Sequence, residues 1–196
     1  MEIAPALQAR WDQERRMITD NIRGYGVHLT YVIDREGSQG DCRCCADGQE
    51  PEARDSLAAL FEATGGPMEL LPPRIEVPFG YTTGLFGVGH AELVVVGLER
   101  RETAELLNDV AHGVLGHGGD LMPGEEVEVQ GRRVLVEELP NSGMILFETH
   151  DFYQRPPWEP IDAVQLTWAD EDGRFPWDEG HDPGPWGQAR PGGYRA

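Results

Sequence analysis

A histidine and a carboxylate stand two positions apart near the middle of the chain. If residues 90–93 begin a β-strand, the side chains of His90 and Glu92 project to the same side, because side chains alternate along a strand. An imidazole beside a carboxylate is either a tuned acid–base pair or a pair of metal ligands. We predict that His90 is the acid–base group and that Glu92 orients it.

Hydroxyl groups precede this pair in the sequence. Tyr81 supplies a phenol, and the two threonines that follow it supply further hydrogen-bonding groups. We predict Tyr81 as a third catalytic residue. The predicted substrate-binding residues are Thr82, Thr83, Gln165 and Trp177. The alternative is a glycine-rich turn in which His90 and Glu92 cap neighbouring backbone groups.

The cysteines are crowded into one short run. Thiolates beside Arg43 could be reactive or could bind a soft metal. A tetrahedral zinc site would need ligands from elsewhere, because the run has no second cysteine pair. The weak metal candidates are Cys42, Cys44, Cys45, His28 and His117. The alternative is a surface loop with reduced thiols, and the sequence names no cofactor.

Composition excludes several kinds of chemistry. The 16 basic residues are all arginines, so there is no lysine for a Schiff base or for a P-loop, and we do not expect pyridoxal phosphate chemistry. The net charge of −19 argues against a nucleic-acid partner. No apolar stretch approaches the roughly 20 residues that span a bilayer, and the first 16 residues have no signal-peptide core. We therefore expect a cytoplasmic protein without a membrane partner.

Hydrophobic patterning predicts the elements that would position these residues. Helices are expected at 4–23, 51–63 and 101–115, and strands at 27–33, 80–85, 93–96, 127–129, 134–136 and 163–168. Residues 144–148 fit a strand or the start of a helix. We predict one domain over residues 1–196, with a cysteine-bearing insertion at about 37–78 and a Gly/Pro/Trp-rich tail at 173–196. The fold class is α+β, with a largely antiparallel sheet flanked by helices.

Three stretches together resemble a known family. They are Tyr81–Leu85, His90–Leu93 running into Gly97, and Gln165 to Trp177. Their order and spacing are similar to those of the bacterial domain-of-unknown-function family DUF4262, over roughly residues 21–32 and 78–180. The resemblance implies a shared fold and no particular activity. The layout is also similar to that of split-barrel flavin reductases and their heme-binding relatives, which implies a split-barrel-like sheet.

Three classes of function are compatible with these observations. The preferred hypothesis is an accessory enzyme of bacterial small-molecule metabolism, of the kind found in natural-product pathways, with a His/Glu/Tyr/Thr pocket. The second is a non-catalytic acidic interaction protein, such as an immunity-type inhibitor of a basic toxin. The third is a metal- or heme-binding protein. A small-molecule ligand and a homo-oligomer are the partners that we consider.

Overall fold

The computed structural model describes residues 5–33, 72–156 and 158–196. Three helices lie in these ranges: α1 (Pro5–Tyr25), α2 (Arg100–His117) and α3 (Phe147–Phe152). The strands are β1 (His28–Val32), β2 (Phe79–Thr83), β3 (Glu92–Val96), β4 (Glu126–Val129), β5 (Arg132–Glu138) and β6 (Ala163–Trp168). The predicted helix at 51–63 lies outside the described residues, as does most of the proposed insertion.

The described strands form one sheet in the order β1-β2-β3-β6-β5-β4. Neighbouring strands are antiparallel except β3 and β6, which run parallel. The predicted α+β class with a largely antiparallel sheet is therefore confirmed. Because β1 and β4 are the two edges of this sheet and do not pair with each other, it is open and does not close into the barrel that the split-barrel layout implies.

Helix α2 covers one face of the sheet. Its buried side chains recur every three or four positions, from Thr103 and Leu106 to Val114, as expected for one inward helical face. They pack against apolar side chains of β3, β5 and β6, including Leu93 and Val136. The helix ends at His117 because Gly118 adopts a left-handed φ of 65° and its N–H donates to the Val114 carbonyl.

The other face is covered by α3, the segment before it and the C-terminal tail. Tyr194 and Ile145 join Phe79 and Tyr81 in a second buried cluster on this side. The tail is fixed by a buried polar side chain of β6: the Gln165 amide donates to the Ala189 carbonyl at 2.8 Å, and Tyr194 donates its hydroxyl hydrogen to Gln165 at 3.0 Å. The predicted tail therefore lies against the sheet with part of its length buried.

Most predicted elements are observed with ends that differ by one or a few residues, and two local details bear on the site. Residues 142–144 form a 3-10 turn and α3 begins at Phe147, so of the two alternatives for 144–148 the start of a helix is the one observed. Strand β3 begins at Glu92, so His90 precedes the strand. None of the helices in the described residues is long and apolar enough to cross a membrane.

Candidate functional site

The turn between β2 and β3 is built around the carboxylate of Glu92, which is completely buried. One carboxylate oxygen accepts hydrogen bonds from the backbone N–H groups of Gly84 (2.9 Å) and Phe86 (3.0 Å). The other accepts a 2.6 Å hydrogen bond from the Thr82 hydroxyl. Thr82 in turn accepts from the N–H of Leu93 at 2.9 Å, so strand and turn are held by one polar network. Glu92 therefore serves as the anchor of this turn.

Gly84 is required where the chain leaves β2. Its φ is +141°, and an added Cβ would lie 3.0 Å from the Gly26 carbonyl oxygen and 3.3 Å from the side chain of Ile22. The turn therefore approaches the end of α1 more closely than a side chain allows. Burial raises the pKa of Glu92 above its ordinary value, although the hydrogen bonds from Thr82 and the backbone act in the opposite direction.

The predicted pairing of His90 with Glu92 is wrong. His90 lies in the turn, where its N–H donates to the Leu85 carbonyl at 3.0 Å, so the alternation of side chains along a strand does not apply to it. No hydrogen bond or ion pair joins His90 to Glu92 in the described part of the chain. The carboxylate that contacts the imidazole belongs to Asp120, which follows α2.

His90 and Asp120 form a dyad with a defined tautomer. An ionised carboxylate only accepts hydrogen bonds, so Nδ1 of His90 must carry the hydrogen that it shares with Asp120. In the neutral imidazole this leaves Nε2 as a base, and Nε2 has no protein partner within the described ranges. Asp120 thus has the orienting role that the sequence assigned to Glu92.

A cavity of about 290 Å³ lies beside this dyad. His90, Asp120 and Asp162 line it together with Phe86 and a set of apolar side chains. The apolar members are Ala91, Leu93, Val114, Leu121, Met122 and Val164. The cavity therefore combines a proton-transfer group, two carboxylates and an apolar floor, which is the composition typical of a small-molecule site.

Tyr81 and Thr83 lie away from this cavity, where they hold α3. The Thr83 and Thr149 hydroxyls share a 2.7 Å hydrogen bond, and the N–H of Glu148 donates to the Tyr81 hydroxyl at 3.4 Å. Burial raises the pKa of Tyr81 far above its ordinary value. Tyr81 and Thr30 line a larger groove of about 1220 Å³ along β1, which His90 does not reach.

His28 and Glu148 form a second imidazole–carboxylate contact. Oε1 of Glu148 lies 3.5 Å from Nε2 of His28, and Thr30 donates to Oε2 at 2.5 Å. Asn21 donates to Nδ1 of His28 at 2.8 Å, so both ring nitrogens are engaged. The His28 and Thr30 contacts lower the pKa of Glu148, although burial opposes them. This dyad therefore has no free nitrogen to offer a substrate.

The remaining predicted binding residues are not at the cavity. Thr82 and Gln165 are buried and bonded within the protein, Gln165 beneath the C-terminal tail. Trp177 is 46% exposed and stacks on Phe175, with Arg190 4.5 Å from its ring centre. The structure does not bring these three residues together with His90.

Metal candidates are only partly covered by the structure. Cys42, Cys44 and Cys45 lie outside the described residues. His28 is engaged as above, and Nδ1 of His117 contacts the Gly113 carbonyl at 3.2 Å. Among the residues that the structure describes, no group of three His, Cys, Asp or Glu side chains is arranged to hold a metal ion.

The sequence did not predict that Asp120 contacts His90 or that Glu148 contacts His28. It also did not predict that Asp162 lines the cavity. Asp120 is 30 positions from His90 and reaches it because α2 returns the chain along the sheet. Asp162 immediately precedes β6, which pairs in parallel with β3. The Glu92 N–H donates to the backbone carbonyl of Asp162 at 2.9 Å. No local pattern in the sequence indicates that Asp120 lies near His90 or that Asp162 lies near the start of β3.

The fold and the cavity define an α+β protein with an open sheet and a histidine–aspartate dyad beside a small cavity. A family model described as Domain of unknown function (DUF4262) matches residues 68–182, more than half of the chain, and the chain belongs to this family. The resemblance found in the sequence is thereby confirmed, although the match does not include residues 21–32. Comparison with the curated proteins and with the solved structures gave no significant match.

Proposed function

We propose that this protein is an acid–base enzyme acting on a small molecule, with His90 as the proton-transfer group and Asp120 as its orienting partner. The observation that carries the proposal is the bond between Nδ1 of His90 and Asp120, which leaves Nε2 free beside a cavity. A histidine held in this way can accept a proton from a substrate and return it. An accessory step in bacterial small-molecule metabolism is a role that such a site fits.

The other residues support this role by fixing the walls of the cavity. Glu92 and Thr82 hold the turn that carries Phe86 and His90. Gly87 in the same turn donates its N–H to the Tyr153 hydroxyl at 3.1 Å, and the rings of Phe86 and Tyr153 meet edge to face. The proposal therefore treats Glu92 and Thr82 as positioning residues and keeps His90 as the catalytic one.

The test compares the wild-type protein with two variants, His90→Ala and His117→Ala. Each protein is incubated with a bacterial metabolite extract, and mass spectrometry identifies compounds that are consumed. Because acid–base catalysis contributes about 10²–10⁴-fold to a rate, His90→Ala should slow consumption by that factor. His117→Ala removes an exposed histidine that does not line the cavity and should leave the rate unchanged. Unchanged consumption by His90→Ala would contradict the proposal.

A second candidate, a protein that binds a basic partner, is favoured by the cleft between α1 and α3. Trp11 is 41% exposed and Phe147 is 40% exposed in this cleft. The cleft has a volume of about 900 Å³ and carries several carboxylates. They are Asp12, Glu14, Glu148 and Asp151, and the cleft has Arg15 as its basic residue. Such an acidic and aromatic surface suits an arginine-rich partner.

An arginine-rich peptide tests this second candidate by calorimetric titration. A specific site predicts that Trp11→Ala weakens binding although the net charge is unchanged. Attraction by the charge of −19 alone predicts equal binding by the two proteins and a loss of binding in both at high salt.

A further inference from the structure

We propose that the cavity beside His90 binds a small organic amine in its cationic form. This inference rests on the proposed function, because it names the class of substrate for the same site. It is carried by the charges of the cavity wall, its apolar floor and its size.

Two carboxylates line the cavity, and no arginine in the described part of the chain lines it with them. Asp120 is paired with His90, and its side chain is 67% exposed. Asp162 is also exposed, and its side chain makes no hydrogen bond or ion pair with any other residue in the described ranges, so both carboxylates are in contact with solvent at the cavity. None of the lining residues is an arginine, and the chain contains no lysine. Arg155 stacks on the Phe86 ring at 5.3 Å but does not line the cavity. A carboxylate or phosphate ligand would therefore meet repulsion, whereas an ammonium group would find a partner in Asp162.

The rest of the cavity favours an apolar body on that ligand. Leu93 and Val164 are buried members of the core, and Leu121 packs against the same cluster, so this part of the wall offers no hydrogen-bonding side chain. A volume of about 290 Å³ is at the lower limit of the roughly 300–1,000 Å³ found for drug-sized ligands. An ammonium group on a short aliphatic or single-ring body satisfies both requirements.

The His90–Asp120 dyad can remove a proton from such a ligand. An amine bound as ammonium can pass one proton to Nε2 of neutral His90. The products are the free amine, which has a nucleophilic lone pair, and an imidazolium cation that Asp120 stabilises. The proton balance closes within the site, and no other reactant is required for this step.

The test uses three probes of matched shape: 2-phenylethylamine, 2-phenylethanol and 3-phenylpropionate. Binding is followed by two-dimensional NMR of the ¹⁵N-labelled protein, with the backbone amides of Gly89, His90 and Leu121 as reporters. We expect the amine to bind at least about tenfold more tightly than the alcohol, and the carboxylate to bind most weakly. Asp162→Asn should abolish the preference for the amine, whereas Glu128→Gln, the same charge change on exposed β4, should retain it.

The outcomes separate the two proposals. Equal or tighter binding of the alcohol or the carboxylate at these amides overturns the amine assignment and leaves the cavity as a ligand site. Shifts that Asp162→Asn does not alter also overturn the assignment, since the charge of −19 then accounts for the attraction. If none of the three probes shifts the reporters, both this inference and the proposed use of the cavity are wrong.

Discussion

Glu92 shows how a carboxylate in a family motif can serve the fold. Three hydrogen-bond donors converge on it from Thr82, Gly84 and Phe86, and its side chain has no exposed surface. A group so fully engaged has little freedom to exchange protons with a substrate. Its position two residues after His90 reflects the shape of the turn, which sends the two side chains to different partners.

Replacement of Glu92 separates its hydrogen bonds from its charge. Glu92→Ala leaves the donors of the turn without an acceptor, so we expect a loss of several kcal/mol in the free energy of unfolding, at about 1–3 kcal/mol for each buried unsatisfied group. Glu92→Gln can still accept from the backbone and donate to Thr82, so it should lose much less. Urea denaturation of both variants measures the difference, and equal losses would contradict the anchor role.

Glu92 should also make stability depend on pH in a particular direction. Its folded pKa is raised by burial, so its contribution to stability is fully present below its ordinary pKa of 4.5 and decreases as the pH rises through the folded pKa. The free energy of unfolding of the wild type, relative to Glu92→Gln, should therefore fall from pH 4 to pH 7. A difference that stays constant or rises would show that burial does not dominate.

Glu148 should make the free energy of unfolding depend on pH in the opposite direction. Its folded pKa is lowered, first by His28, so its contribution is present above the ordinary value of 4.5 and is lost as the pH falls through the folded pKa. The advantage of the wild type over Glu148→Gln should therefore shrink on acidification below about pH 4.5. Thermal denaturation at pH 3 to 6 measures it, and an advantage that grows in acid would contradict the assignment.

Among the elements, the turn between β2 and β3 determines where His90 lies. Gly84 permits the close approach to Gly26, and Glu92 then holds the backbone that follows. Helix α2 supplies the other half of the dyad, because its glycine cap directs the chain towards Asp120. The site is thus made where two connections meet at one end of the sheet.

Gly84→Ala tests the contribution of this turn. A side chain at φ +141° and 3.0 Å from a carbonyl oxygen should reduce the free energy of unfolding by about 1–3 kcal/mol or more. The matched control is Gly113→Ala in α2, where an added Cβ meets no atom within 4 Å. Alanine should stabilise a helix interior by roughly 0.5–1 kcal/mol, so the two variants should shift the urea midpoint in opposite directions.

Sequence periodicity predicted most elements because they have clear apolar patterns. The inward face of α2 and the continuous apolar run of β3 are of this kind. The predicted strand at 93–96 matches β3 to within one residue at its start. The condition that residues 90–93 begin the strand fails at His90, because its N–H donates to the Leu85 carbonyl in the folded turn. The residue with the free imidazole nitrogen was identified, but its partner was not, because that contact spans 30 positions.

On the scale of the whole molecule, the C-terminal tail completes the second face of the sheet. Tyr194 is buried against Ile145 and Phe79, and the polar contacts of Gln165 fix the path of the tail. The Trp168 indole N–H donates to the Val96 carbonyl at 2.9 Å, which joins β6 to the end of β3. The tail therefore stabilises the sheet from the side opposite to α2 and the cavity.

Tyr194→Phe tests this long-range support. It leaves Oε1 of Gln165 without its 3.0 Å hydrogen bond, so the free energy of unfolding should fall by about 1–3 kcal/mol. Binding at the cavity should not change, because neither residue lines it. Calorimetric unfolding together with the amine titration measures both effects, and a selective loss of amine binding would contradict the separation.

The tautomer of His90 tests the central claim most directly. Long-range ¹H–¹⁵N NMR of the imidazoles distinguishes a protonated ring nitrogen from a free one. Neutral His90 should carry its hydrogen on Nδ1 and leave Nε2 free, and Asp120→Ala should shift it towards a mixture of tautomers. A neutral His90 with its hydrogen on Nε2 in the wild type would contradict the acid–base site described above.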